Sequence, residues 1–347
     1  MSEIAVEFLA VPEPEPALLD ELAALAPTNP FVTRAYAASR RGFGGQPWVI
    51  GVGEAGRISA ACLAYMRSGH LTRSLEIISL PEFRRPDSFW QALLEFCRKQ
   101  RVEELRVHSY GSTTAMIPRL VGERARTDRC EYVLDLQSRE LEEGLSGDHR
   151  RNIARARKRG LTVRRAADRE ACEAHTAMIL ASMERRQHRG ESVPLDFRHE
   201  EFLAITATGA GELFQAVDDR EIVSSMLLLR AARGAYSQTM GTNATGMRSG
   251  GSRLVIFEAA RMLKEEGLEV LNLGGVSEQN PGLREFKAGF GARMINLQAA
   301  EFCFATSLKR SMIGAARALR SALDTTRAAL GRNRPGVEEA QQSGAAR

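Results

Sequence analysis

Two stretches of the chain alternate apolar and polar positions around short polar turns. WVIGVGEAGRISAACLAYMR (48–67) runs into a turn at Glu54-Ala55-Gly56 and out again, and LFQAVDDREIVSSMLLLRA (213–231) does the same around Asp218-Asp219-Arg220. Period-two alternation bounded by turn residues predicts a β-hairpin in each. The second is an echo of the first: Ile58 falls on Ile222 and Leu63 on Leu227, an offset of 164. Each hairpin is followed by an amphipathic helical pattern, over Phe89–Gln100 and Arg253–Glu266. Strand patterns follow at 101–107 and 267–273, now offset by 166. Three elements in one order at a nearly constant offset predict a duplicated βαβ-rich unit. The copies are expected over 1–135 and 161–305, in an α/β (α+β mixed-sheet) architecture.

The join, 136–160, carries the helical pattern of SRELEEGLSGDHRRNIARARKRG, with Ser146 or Asp148 as N-cap. After Asp148 every charge through Arg165 is positive. A solvated basic face and an anion-binding surface are both open readings of that run. The closing segment, 306–347, predicts an amphipathic helix with Leu308, Met312, Leu319, Leu323 and Leu330 on one stripe, then a polar tail expected to be disordered. Docking on its own domain is preferred over a membrane-surface role, because no Trp or Phe anchors the helix.

Length and charge refine this picture. A chain of 347 residues is long enough for two domains with real cores. Residues 1–135 hold 16 Lys/Arg and 17 Asp/Glu, so the net charge of +5 resides in the second part. An anionic partner should therefore meet the second copy. The five cysteines show no CxxC spacing, which argues against a disulfide framework and a cysteine zinc site; no metal is expected. No secretory pattern or run of about 20 apolar residues is present, so a soluble, cytoplasmic chain with no integral membrane segment is expected.

Two motifs carry candidate chemistry. In GLREFKAGFG (282–291), helical spacing puts Leu283, Phe286 and Phe290 on one face, with Lys287 in the middle of it. A cation there either snorkels to water or serves a buried site. Between the second hairpin and its helix stands TNATGMRSGGSRLVIFEAARML (242–263). Arg248, Gly250, Gly251, Ser252 and Arg253 precede or open the helix, where free amides and the positive dipole end favour an anion. An ordinary glycine turn is the competing reading. The equivalent loop of the first copy, SLPEFRRPDSFW (79–90), has prolines and no glycine.

Strand, Arg-x-x-Gly loop and helix resemble the cofactor motif of the GNAT acyltransferases, with Arg248 and Gly251 matching and Arg253 standing where the pattern takes a small residue. The tandem arrangement resembles the Fem (FemABX-like) branch. DHRRNIARARKRG is similar to its basic helix and LNLGGVSEQNPGLREFKAGFGA to its closing signature. The resemblance implies tandem GNAT-like domains, the first degenerate and the second catalytic. It implies an acyl-CoA or aminoacyl-tRNA donor and an amine-bearing acceptor, a peptidoglycan precursor or a small molecule. It places Lys287, beside Phe286, at the reaction centre, and makes Arg186 (with Arg185 as rival) a phosphate contact. TNPFVTRAY (28–36) resembles a family segment bordering the substrate groove, which would bring Arg34 to it. Tyr236, on the strand before the glycine loop, is a candidate proton donor, against the plainer reading of a core tyrosine. Acetyl-CoA-dependent N-acetylation of a small amine and a non-catalytic binding protein of the same fold are the alternative readings. The coiled-coil arm common in Fem enzymes is missing from the sequence pattern, which leaves room for a small-molecule acceptor.

Overall fold

The computed structural model describes residues 6–306, 309 and 311, apart from 44, 55–56, 70–71, 83–85, 114–115, 138–139, 192, 194–196, 220 and 277–279. The helix expected over 306–347 lies outside the described residues, except for its first positions.

The elements of the first half are β1 (Val6–Pro12), α1 (Pro16–Leu25), a 3-10 turn (Pro30–Val32), α2 (Arg34–Arg41), β2 (Gln46–Glu54), β3 (Arg57–Ser68), β4 (Arg73–Ile77), α3 (Pro86–Lys99), β5 (Glu104–Val107) and β6 (Glu123–Asp135). Then come α4 (Gly147–Lys158), β7 (Thr162–Ala166), α5 (Arg169–His188), α6 (His199–Ala207), β8 (Gly211–Asp218), β9 (Glu221–Arg230) and β10 (Gly234–Thr242). The chain continues through α7 (Ala244–Ser249), α8 (Gly251–Glu265), β11 (Val270–Val276), α9 (Pro281–Ala288) and β12 (Arg293–Cys303). The described strands form one mixed sheet in the order β1-β2-β3-β4-β5-β12-β6-β11-β10-β9-β8-β7.

The duplication is written into the register. Both hairpins carry a β-bulge at the same place, between Val52 and Gly53 in one and between Ala216 and Val217 in the other. Ile58 pairs with Gly53, and Ile222 with Val217. Bulges re-aim a strand and are specific to position, so sharing one at the offset of 164 identifies equivalent strands. The fold is a duplicated unit of mixed α/β type.

The halves also trade strands. β6, from the first copy, pairs with β11 of the second, while β12, from the second, pairs with β5 of the first. β6 and β12 pair with each other along Glu123–Val133 and Arg293–Phe302. Side chains on β6 are thereby delivered into the second half. One core packs α3 on the first half of the sheet and another packs α4 and α8 on the second. A third joins the halves: Leu19, Leu22, Phe31 and Tyr36 pack with Ile179, Phe202 and Tyr236.

The basic helix α4 starts at Ser146, whose hydroxyl accepts from His149 N–H. Its inward face is His149, Ile153 and Ala156. Much of the basic run is consumed internally. Arg157 bonds Glu142 and Glu258, Arg159 pairs with Asp218, and Arg165 pairs with Glu212 and Glu266. All five cysteines are buried and free.

Candidate active site

The site begins where two parallel neighbours part. β10 and β11 pair only from Gly234–Val270 to Tyr236–Asn272. Beyond that point β10 continues to Thr242 against β9 alone, bulging between Ser237 and Thr239, while β11 slips register against β6 between Asn272 and Gly275. The divergence opens a cleft of about 910 Å³, floored by Tyr236–Met240 and Leu273–Val276 and walled by Ser252, Arg253, Phe286 and Lys287. His108, Tyr110 and Arg129 reach it from the first copy.

Lys287 sits on α9, a helix capped by the Asn280 side chain and started by Pro281. The residue is partly exposed, but its amine is turned inward and donates to the carbonyls of Gly274 and Gly275, at 3.0 Å each. Burial brings its pKa down from 10.5 to about 8, the nearby Arg129 charge adds to that, and Glu131 opposes it. Gly274 holds a positive φ of 77°. A Cβ built there would lie 2.7 Å from the Ser237 carbonyl, 3.7 Å from Lys287 Nζ and 3.8 Å from the Tyr236 hydroxyl. The backbone must be glycine to turn there, and the ground above it is flanked by both side chains.

Beneath lies Glu131, with no exposed surface. One carboxylate oxygen accepts from the Tyr236 hydroxyl and Arg129 Nη2, both at 2.8 Å. The other accepts from Asn272 Nδ2 at 2.8 Å and Gly111 N–H at 3.0 Å. Four donors satisfy the buried charge. Burial, then the Glu131 charge, holds the Tyr236 phenol well above 10, so it stays neutral. Phe31 meets the Tyr236 ring edge-on at 4.8 Å.

Phe286 is clasped rather than buried. Its ring contacts His149 at 5.3 Å and Phe290 at 5.4 Å, and the Arg253 guanidinium lies 5.4 Å over it. His149 fixes the start of α4 to α9: Nε2 lies 2.8 Å from the Phe286 carbonyl, and Nδ1 faces Arg253 Nε at 3.4 Å. A neutral ring that donates from Nε2 and accepts at Nδ1 satisfies both contacts, and burial depresses the His149 pKa in agreement.

The glycine loop differs from its expected form. A short helix, α7, precedes α8, and Arg248 lies exposed on it, outside the cleft lining. Gly250 alone forms the turn, at φ 82°, and a Cβ on it would come 2.7 Å from the Asn152 carbonyl of α4. Gly251 packs on Val223 and Gly246. Close helix packing thus accounts for both glycines. Ser252 and Arg253 do line the cleft, with Arg253 bonded to Asp148 at 2.9 Å.

Of the arginines expected at substrate, Arg186 and Arg185 line the cleft from the last turn of α5. Arg186 is paired with Glu191 at 2.8 Å, and Arg185 donates to Ser182 and the Thr242 carbonyl. Arg34 is not brought there: it begins α2, is exposed and faces Asp20 at 3.6 Å. The segment before it contributes instead through Phe31. Glu131, Arg129 and Asn272 carried no sequence signal of their own. An acid between Cys130 and Tyr132 on a strand was the available hint.

Residues 147–288 match the acetyltransferase (GNAT) domain family. The second half is a GNAT acyltransferase domain. Among solved structures, the chain is similar to FemX (12% identity, 81% of this chain and 95% of that one, TM-score 0.60). It is also similar to the C-terminal domain of a protein assigned as lysylphosphatidylglycerol synthetase from Agrobacterium fabrum (15%, 88% and 98%, 0.53). A tandem GNAT protein from the clavulanic acid biosynthesis pathway matches as well (13%, 87% and 100%, 0.50). These likenesses show a shared fold. No curated protein matches the chain. No helix among the described residues is long and apolar enough to cross a membrane.

Proposed function

We propose that this GNAT domain is an N-acyltransferase of Fem type, which moves an aminoacyl or acyl group from an ester or thioester donor onto an amine by direct attack. The observation that carries the reading is the Lys287 ammonium, pinned by two glycine carbonyls at the head of the β10–β11 divergence. Those bonds use two of its three donors and leave one for a ligand. When the amine attacks the donor carbonyl, the carbon–oxygen π pair moves to oxygen. A fixed cation in a low-dielectric pocket stabilises that oxyanion, with effects of about 3–4 kcal/mol for one donor. Collapse breaks the carbon–sulfur or carbon–oxygen bond, and the leaving group takes a proton. In this reading Tyr236, neutral and bordering the same ground over Gly274, turns its hydroxyl hydrogen from Glu131 to the leaving group and regains a proton from water, which accepts the proton of the amine.

Arg253, Ser252 and the first turn of α8 hold the donor's phosphates. Both acyl-CoA and aminoacyl-tRNA carry them, and the tie of Arg253 to Asp148 and Phe286 supports the tRNA ester, because the side chain fills ground that a small residue leaves open to a pyrophosphate. The fold it shares with a protein assigned to lysylphosphatidylglycerol synthesis supports an aminoacyl group in the same way. The test is single-turnover transfer to hydroxylamine, a surrogate amine, from acetyl-CoA and from charged tRNA, in wild type and Lys287→Met. Transfer from one donor that drops roughly 10²–10³-fold in the variant is expected. Wild-type rates in the variant would sink the assignment of Lys287.

A further inference from the structure

Beside the main cleft lies a second cavity, of about 400 Å³, lined by Arg129, Cys130 and Asp128 of β6, by Asn296 and Gln298 of β12, and by Arg284 of α9. Arg129 and Asp128 line both cavities, so Arg129 stands in the wall between them. The two arginines of this chamber have incomplete hydrogen bonding. Arg129 Nη1 and Arg284 Nε are each buried without a partner. Leaving a buried donor of a charged group unmet is costly, and here two such donors occur in one chamber.

The Arg129 guanidinium is also preorganised. It stacks 3.8 Å from the Tyr110 ring and is anchored through Nη2 to Glu131 at 2.8 Å. The residue opposite it on the β11 side is Gly275, where a Cβ would lie 2.6 Å from Nη2. Among the described residues one carboxylate lines the chamber, Asp128, and it is engaged by Gln298 Nε2 at 3.0 Å. Arg129 keeps a free edge beside its pair with Glu131, so one donor of each guanidinium remains unmet in the chamber. A planar guanidinium with a free edge matches a carboxylate or phosphate better than any neutral group.

We propose that this chamber is an anion subsite for the acceptor: the amine substrate carries a carboxylate or phosphate group that enters between Arg129 and Arg284, while its amine lies toward Lys287 in the adjoining cleft. The inference rests on the acyltransferase reading for the identity of its ligand, but not for its existence. Arg284 precedes Lys287 by less than one turn of α9, so the subsite and the lysine are carried on one helix and an anion seated on Arg284 places the acceptor amine beside Lys287. Arg284 acts through binding and positioning, not at the reacting atoms.

The test has two arms. In the first, the melting temperature of the full chain is followed with sodium acetate, inorganic phosphate and chloride at constant ionic strength. Wild type should melt several degrees higher with acetate or phosphate than with chloride, and Arg284→Gln should lose that difference. Whichever of the two anions acts identifies the group. Equal response to all three salts, or an unchanged response in Arg284→Gln, overturns the subsite. Arg129→Gln is a second variant, but Arg284→Gln decides because it leaves the Glu131 network intact. In the second arm, acyl transfer to glycine is compared with transfer to glycinamide. Arg284→Gln should raise KM for glycine about tenfold or more, with kcat held, and leave glycinamide unchanged. Transfer to neither amine in wild type, with the salt response intact, overturns the acyltransferase reading of the ligand while the subsite stands; a KM change shared by both amines overturns the subsite.

Discussion

The Tyr236 hydroxyl donates to Glu131 at 2.8 Å, and the two residues come from opposite halves of the sequence. Glu131 rides on β6, which crosses over to pair with β11. The strand exchange therefore seats a first-copy carboxylate under a second-copy tyrosine. With four donors around it and no exposure, Glu131 should be intolerant of change. Glu131→Gln leaves Arg129 without its counter-charge and turns an amide donor toward other donors. The expected loss is about 3–5 kcal/mol, the scale for breaking one side of a buried ion pair, read by urea denaturation. Tyr236→Phe should cost only about 1–3 kcal/mol. If Tyr236 protonates the leaving group, that variant also loses roughly 10²–10⁴ in turnover; wild-type turnover in it makes the tyrosine a structural ligand of Glu131.

Lys287 titrates in an accessible window. With its pKa lowered to about 8, the ammonium is present below that pH and lost above it. Turnover that needs the cation should fall as pH rises through about 8, tenfold per unit well above it. Lys287→Met should lack that limb. The stability sign is opposite. Because the folded pKa lies below the unfolded 10.5, the unfolded chain binds more protons between about 8 and 10.5. Stability from this group rises with pH across that window, by about 3 kcal/mol in all, and the corresponding cost is in full force below pH 8. Lys287→Met removes it, so the variant should melt no lower than wild type at pH 7. Melting curves at pH 7 and pH 10 check both signs.

Alternation and period laid out most of the fold in the sequence, because a duplicated hairpin and helix leave the same pattern twice. The bulges at Val52–Gly53 and Ala216–Val217 confirm the offset. The strand exchange was not legible: a strand's composition does not name its partner, and β6 would alternate in the same way beside β5. That is why Glu131, Arg129 and Asn272 were missed. Glu131 takes its role from bonds to Tyr236 and Asn272, more than a hundred positions away, and Arg129 follows Glu131. Lys287 was legible, since a cation on an apolar helix face contradicts its own pattern. Arg248 was read as part of a loop because α7 is short and its glycines and serines suggest a turn. Arg34 was placed at the groove by motif alone, and the contact falls to Phe31.

Gly274 should be irreplaceable on two grounds that separate in experiment. Its φ of 77° and the 2.7 Å approach to the Ser237 carbonyl make alanine strained, at about 1–3 kcal/mol. The added methyl would also stand between Lys287 and Tyr236. Gly274→Ala should therefore lower the melting temperature and, well below it, cut turnover by a further tenfold or more. Gly122→Ala is the control: a Cβ there meets the Cys303 carbonyl at 2.9 Å at a like φ of 87°, away from the cleft. It should cost similar stability and spare turnover at low temperature. Equal turnover losses in the two would mean that strain, not the space over Gly274, limits the reaction.

The two arginines around the glycine turn should behave differently toward the donor. Arg253 lines the cleft, packs over Phe286 and bonds Asp148. Arg248 is exposed on α7 and absent from the lining. If donor phosphates are held at the start of α8, Arg253→Ala should weaken donor binding by about tenfold or more, whereas Arg248→Ala should change it less than twofold. Losing one phosphate contact also lowers the dependence of log Kd on log salt by about one unit for a nucleic-acid donor. Titrations of acetyl-CoA and of charged tRNA at two salt concentrations read both quantities. A salt slope that falls in Arg253→Ala for tRNA, with acetyl-CoA binding weak in every variant, selects the tRNA ester. Tight acetyl-CoA binding weakened by Arg253→Ala selects the thioester. Equal effects of the two substitutions on both donors would move the phosphate site off the α8 terminus, onto a surface shared by α7 and the cleft rim.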